Sequence, residues 1–139
     1  MEVYPEKTVY RNLGNTGLRV SLLSYGNYLN ANKPEEEKRC IDTIKKCWEL
    51  GVNFFDTAEI YGYGSAEVAL GKAIKEIGCP RDEIVISTKL IHSGPTSNGK
   101  GLSRKHIIEG MRASLKRLDL DYVDVVFAHA QDHDTPLEE

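Results

Sequence analysis

The chain has 139 residues, 18 Lys and Arg against 21 Asp and Glu, and a net charge of −3, enough for one modest domain with a core of its own. The charges are spread along the sequence, so no basic face or arm points to nucleic acid, and no apolar run approaches the roughly 20 residues that cross a bilayer. Residues 1–7 lack the apolar stretch of a signal peptide; Cys40, Cys47 and Cys79 form neither a Cys-x-x-Cys pair nor an even set, which reads as a reducing, cytoplasmic setting.

Tyr10-Arg11-Asn12-Leu13 and Leu18-Arg19-Val20-Ser21 flank Gly14-Asn15-Thr16-Gly17, and turn residues between strand-like pieces predict a hairpin. Leu22-Leu23-Ser24-Tyr25 reads as the first core strand, ended by Gly26-Asn27. A helix is expected from Pro34 to Leu50: Pro suits a first helical position, Glu35, Glu36 and Glu37 suit the positive end of the dipole, and Cys40, Ile41, Ile44, Cys47 and Trp48 make its apolar face. Val52-Asn53-Phe54-Phe55 reads as a buried strand ending at Asp56. Ser65 is the expected cap of a second helix whose inner face is Ala69, Leu70, Ala73, Ile74 and Ile77. Ile84-Val85-Ile86-Ser87-Thr88 follows as a strand and delivers Lys89.

The loop from His92 to Gly101 has no Gly-x-Gly-x-x-Gly or P-loop spacing and reads as a flexible lid. Ser103 opens a third helix with Ile107, Ile108, Met111, Leu115 and Leu118 on one face, and Val123 to Ala128 forms a strand that delivers His129. Asp132-His133-Asp134 lacks the frame of a metal site and reads as a solvated loop, so no metal is expected. Thr135-Pro136-Leu137-Glu138 has the cap, proline and acid of a fourth helix start. The alternation implies an α/β fold of parallel strands covered by helices, one domain over 1–139. Four such strands leave an open edge. The expectation is the N-terminal part of a longer fold, truncated at the fourth βα unit, with a short product that pairs with itself or a partner as the alternative.

Successive strands thus end in titratable groups: Asp56 with Tyr61 just beyond, then Lys89, then His129. In a parallel αβ sheet those ends share the side where ligands bind. Taken singly, a strand-end lysine is ordinarily solvated and a lone histidine or tyrosine ordinarily structural. Together, a phenol, an ammonium, a carboxylate and an imidazole can protonate a carbonyl oxygen.

Asn12-Leu13-Gly14 with Gly17 to Ser21, Gly51-Val52-Asn53-Phe54-Phe55-Asp56-Thr57-Ala58-Glu59-Ile60-Tyr61-Gly62, Ser87-Thr88-Lys89, Gly101 to Gly110 and Leu118 to His129 carry a resemblance that runs to the last residue. In these segments the chain resembles the N-terminal half of an aldo-keto reductase, and is most similar to the branch holding the β subunits of voltage-gated potassium channels. The resemblance implies a TIM-type (β/α)8 barrel with a leading β-hairpin plugging its base, and NADPH-dependent reduction of aldehydes and ketones to alcohols. The family's catalytic residues fall on Asp56, Tyr61, Lys89 and His129. Gly26, Asn27 and Tyr28, with Asp56 and Tyr61, fall at the nicotinamide. The channel branch usually has Asn where His129 stands and Gly-Thr-Trp where Gly26-Asn27-Tyr28 stands.

Hydride delivery to a carbonyl carbon builds negative charge on oxygen, and an acid must supply a proton as it does. A free phenol, with a pKa of about 10, is a weak acid for this at neutral pH, and a nearby ammonium favours its ionised form. Tyr61 is then the general acid, Lys89 its tuner, Asp56 the anchor of Lys89, and His129 the donor that orients the substrate oxygen. The implied partners are a small carbonyl substrate and either a channel or a second copy. Much of the family's adenosine and phosphate binding lies in later strands, so this segment is expected to bind cofactor poorly.

Overall fold

The computed structural model describes residues 8–28 and 33–139. A hairpin comes first: β1 (Tyr10–Asn12) pairs antiparallel with β2 (Arg19–Ser21). Its turn closes through Leu13 N donating to Leu18 O at 2.8 Å, with Gly14 at φ +55°. Four parallel strands follow, β3 (Tyr25–Gly26), β4 (Phe54–Asp56), β5 (Val85–Leu90) and β6 (Val125–Ala128), side by side in that order. Between them run α1 (Pro34–Glu49), α2 (Ser65–Ile77) and α3 (Arg104–Leu118). This is a partial α/β barrel with a hairpin at its base.

The core lies between sheet and helices, where Cys40, Ile41 and Ile44 of α1, Ala69, Leu70, Ala73 and Ile74 of α2, and Leu118 of α3 meet Phe55, Ile84 and Ile86. Fully burying a Leu, Ile or Phe side chain contributes about 1.5–3 kcal/mol each, so this cluster drives the fold. Cys40, Cys47 and Cys79 are free thiols. Burial is the largest cause raising each of their pKa values, which keeps them protonated and unreactive. Asn53, just before β4, seals the base: its Oδ1 accepts from Ser21 N at 2.7 Å, its Nδ2 donates to Arg19 O at 3.2 Å and its own N donates to Ser21 Oγ at 3.2 Å. At the same end Arg81 donates to Asp124 Oδ2 at 2.8 Å and to the Ile84 and Tyr122 carbonyls, and Asp124 accepts from Ile86 N at 2.8 Å.

Several sequence expectations are corrected. The first core strand begins only at Tyr25, because Ser21 Oγ donates to Leu23 O at 2.6 Å and turns the chain, leaving Leu22 and Leu23 exposed. Ser65 is the first helical residue, and Gly64 is the cap. Gly64 sits at φ +92°, and a Cβ there would lie 2.5 Å from Arg117 Cδ, so neither the backbone nor the space suits a larger residue. On α3, Ile107 and Ile108 face outward, and His106, Gly110, Ser114 and Leu118 are buried. That row at intervals of four faces inward because two buried glutamates, Glu59 and Glu67, draw His106 and Arg117 to it.

The 92–101 loop is a bonded excursion. His92 and Lys100 form a β-bridge, Ser93 N donates to Gly99 O at 2.8 Å, and Gly101 N donates to Ile91 O at 2.8 Å. Asp132-His133-Asp134 is a loop with His133 and Asp134 exposed, and the Asp132 carboxylate accepts from Leu102 N, Asp134 N and Thr135 Oγ1, the last of these being the largest cause holding its pKa below the usual carboxylate value. Residues 136–139 form one turn closed by Glu139 N donating to Pro136 O at 3.2 Å. Among the described residues no group of three His, Cys, Asp or Glu could hold a metal ion, and no described helix is long and apolar enough to cross a membrane.

Two substitutions test this packing and a third, on the surface, is the control. A Cβ on Gly71 would lie 2.2 Å from the Leu118 carbonyl oxygen, so Gly71→Ala is expected to lower the unfolding free energy by about 1–3 kcal/mol by overpacking, although alanine is the better helix former. Asp124→Ala orphans Ile86 N and leaves Arg81 with only its two carbonyl acceptors, and is expected to cost about 2 kcal/mol. Lys105→Ala, which breaks an exposed pair with Glu109, is expected to change stability by less than about 0.5 kcal/mol. Urea denaturation compares the three.

Candidate active site

β4 and β5 run parallel with Asp56 beside Ser87, and pleating sends alternate residues to one face. Phe55 and Ile86 go to the helices, inside the core. Asp56, Ser87 and Lys89 share the other face. There Ser87 Oγ donates to Asp56 Oδ1 at 2.6 Å, and Lys89 Nζ pairs with Asp56 Oδ2. Lys89 Nζ also donates to the Thr57 carbonyl at 2.8 Å and to the Tyr61 hydroxyl at 3.4 Å. The ammonium has three protons and three oxygen partners.

Tyr61 reaches Lys89 because the segment after β4 keeps bonding to β5 before it turns. Thr57 N donates to Ser87 O at 3.0 Å, Glu59 N to Lys89 O at 3.1 Å, and Tyr61 N to Ala58 O at 3.1 Å. A short 3-10 turn over Tyr61–Gly64 follows, in which Tyr63, exposed, holds φ at +52°. A bulky non-glycine residue there is strained. The strain lies two residues from Tyr61.

His129 follows β6, its N donating to Leu90 O at 3.0 Å. Its ring stands edge-on to that of Tyr61, with centroids 5.5 Å apart. Its Nδ1 is buried without a hydrogen-bond partner among the described residues. Burial first, and then the charge of Lys89, push the imidazole below its ordinary value near 6.5, so the ring is neutral at pH 7.

Asp56, Tyr61, Lys89 and His129 therefore converge at one end of the sheet, as their spacing in the sequence suggests. Asp56 and Tyr61, also expected at the cofactor, belong to this group, and of the other three residues expected there Gly26 and Tyr28 border it. Gly26 pairs with Asp56, and among the described residues a Cβ on it would meet only Asp56 Oδ2, at 3.9 Å, so the described residues leave space at the end of β3. Tyr28, 70 % exposed, stands edge-on to Tyr61 with centroids 4.9 Å apart. Asn27 does not join them. Its side chain is buried, and Nδ2 donates to Ala66 O at 2.6 Å in the first turn of α2, while its own N donates to Asp56 O at 3.0 Å.

Sequence reasoning missed Glu59 and His106. Glu59 Oε1 accepts from Ile91 N at 2.6 Å and faces His106 Nε2 at 2.9 Å, while His106 Nδ1 faces Asn98 O at 3.0 Å. The two ring nitrogens of His106 thus face a buried carboxylate on one side and a backbone carbonyl on the other. The available signals were an acid between Ala58 and Ile60, and the row His106, Gly110, Ser114 and Leu118 at intervals of four.

The family model of the aldo/keto reductase family matches residues 23–139. The chain is 52% identical over 130 residues to a probable voltage-gated potassium channel subunit beta of Arabidopsis thaliana, covering 94% of this chain and 40% of the relative. It is 49% identical over 138 residues to a putative subunit of the same kind from Schizosaccharomyces pombe, again covering 40% of the relative. Among solved structures, it superimposes with a TM-score of 0.81 and 30% identity on a thermostable aldo-keto reductase in complex with the inhibitor epalrestat, covering 94% of this chain and 46% of that one. An aldo-keto reductase from Bacillus halodurans in holo form gives a TM-score of 0.78 at 31% identity, covering 95% of this chain and 43% of that one. The chain thus spans less than half the length of the relatives it matches, and over that span it belongs to the aldo/keto reductase family.

Proposed function

We propose that this site reduces aldehydes and ketones to alcohols with NADPH, with Tyr61 as general acid. The observation that carries the reading is the single ammonium of Lys89 shared among Asp56, the Thr57 carbonyl and the Tyr61 hydroxyl. Because the phenol oxygen accepts from Lys89, its own proton is free to go to a substrate oxygen. The charge then left on the phenol oxygen would face an ammonium 3.4 Å away, an attraction strengthened where water is excluded. Asp56 holds that ammonium in place, and Ser87 holds Asp56. His129, neutral, can donate an N–H to the same substrate oxygen and orient it.

The donor set suits the nicotinamide end of a dinucleotide: the open end of β3 at Gly26 and the exposed ring of Tyr28 lie beside the proton donor. When bound, NADPH supplies the hydride. The preference for the phosphorylated cofactor rests on the family resemblance. Asn27 contributes by setting the end of β3 against Asp56.

The names of the relatives at 52% and 49% identity favour a second reading, a regulatory subunit of a potassium channel that has kept the site. His129 weighs toward the reductase. Either role belongs in the cytosol, with association to a channel or to a second copy. Copurification with a channel from solubilised membranes separates the readings.

In the full translated product of the reading frame holding these residues, Tyr61→Phe is expected to lower kcat/KM for a reactive aldehyde by about 10²–10⁴-fold, with cofactor affinity nearly unchanged. Equal rates for wild type and Tyr61→Phe would refute the assignment. The 139-residue chain alone is expected to consume NADPH slowly or not at all, and a near-normal rate contradicts that expectation. His129 adds a pH effect. Its folded-state pKa lies below the ordinary value near 6.5, so its contribution to stability is present above that pH and is lost as pH falls through the lowered value. Urea midpoints taken from pH 8 downward are expected to drop on acidification, and less steeply in His129→Gln.

A further inference from the structure

We propose that Glu59 and His106 are positioning residues for Tyr61, a buried latch that fixes the phenol against Lys89. The proposal rests on the reading of Tyr61 and Lys89 as acid and tuner. Neither latch residue belongs to the four groups that meet at the strand ends. Both lie directly behind the segment that carries Tyr61.

Glu59 stands two residues before Tyr61, and Ile91 two residues after Lys89. Glu59 bonds to the β5 side on both flanks of Leu90: its N donates to Lys89 O at 3.1 Å and its Oε1 accepts from Ile91 N at 2.6 Å. The spacing between phenol and ammonium therefore passes through two short lengths of backbone pinned by one side chain. That side chain is pinned in turn by His106 on α3, at 2.9 Å, with exposures of 2% and 0% for the histidine and glutamate side chains. The other ring nitrogen of His106 faces Asn98 O at 3.0 Å, so the same imidazole ties the 92–101 excursion to the latch. Gly110 permits the approach of α3, since a Cβ there would lie 3.1 Å from Glu59 Oε2. Glu59 Oε2 is buried without a hydrogen-bond partner among the described residues, so Oε1 alone anchors the side chain; without His106 it keeps only Ile91 N, and a buried acid held by one bond does not keep one geometry.

A purely structural pair would affect stability and leave the site's geometry alone. The test reads that geometry directly, without cofactor or turnover. In the isotopically labelled 139-residue chain, the nuclear Overhauser cross-peak between Lys89 Hε and the Tyr61 ring protons is expected in wild type. It is expected to be lost in His106→Phe while the amide spectrum stays dispersed, and to return in His106→Gln, whose amide can donate to both acceptors. If His106→Phe does not fold, His106→Asn takes its place, being polar but too short to span Glu59 and Asn98. A cross-peak that survives in the folded loss variant overturns the latch and leaves the reductase reading standing. A cross-peak absent from wild type overturns both. Loss without return in a folded His106→Gln also overturns the latch as drawn, since donor geometry would not be what holds Tyr61.

Discussion

The ion pair between Lys89 and Asp56 sits across the β4–β5 ladder with only 16% and 27% of the two side chains exposed. A charge this enclosed is tolerated only where its lost hydration is replaced by fixed partners. Here the replacements come from three separate stretches of chain. Asp56 and the Thr57 carbonyl come from the end of β4, the Tyr61 hydroxyl comes from the turn beyond it, and Ser87 backs the carboxylate from β5. The pair thus requires the strand register, and the register places the pair. Tyr61 enters the same arrangement as the third oxygen partner of the ammonium, at 3.4 Å.

Polarity is graded along the barrel axis. Toward the base, Phe55, Ile84 and Ile86 pack on α1 and α2, with Asn53 and the Arg81–Asp124 pair closing the end. Toward the mouth, the contact between sheet and α3 is built from buried charge. Glu67 accepts from Thr88 Oγ1 at 2.7 Å and Arg117 Nε at 2.5 Å, and Glu59 meets His106. Buried pairs of this kind add little net stability, but they tolerate few alternative geometries. An apolar base that stabilises is thus joined to a polar mouth that restricts geometry.

The legible part of this molecule was its local part. Helical spacing in Cys40, Ile41 and Ile44 identified the buried face of α1, and the apolar runs before Asp56, Lys89 and His129 marked the strands and their common end. The α3 face was misread because apolarity alone favoured Ile107 and Ile108, whereas burial followed His106, Gly110 and Ser114. On that side of the helix His106 meets Glu59 and Arg117 meets Glu67, partners 47 and 50 positions away in the chain. No window along the sequence contains both members of either pair.

The sequence by itself determined the α/β alternation, the hairpin and the four titratable groups at the strand ends, because periodicity and turn chemistry act within a few residues. Only the tertiary structure decided that Asn27 serves the frame, that Gly64 rather than Ser65 caps α2, and that Glu59 and His106 stand behind Tyr61. Each of these depends on which distant atom fills a space or satisfies a buried donor, and that is set when the chain closes on itself.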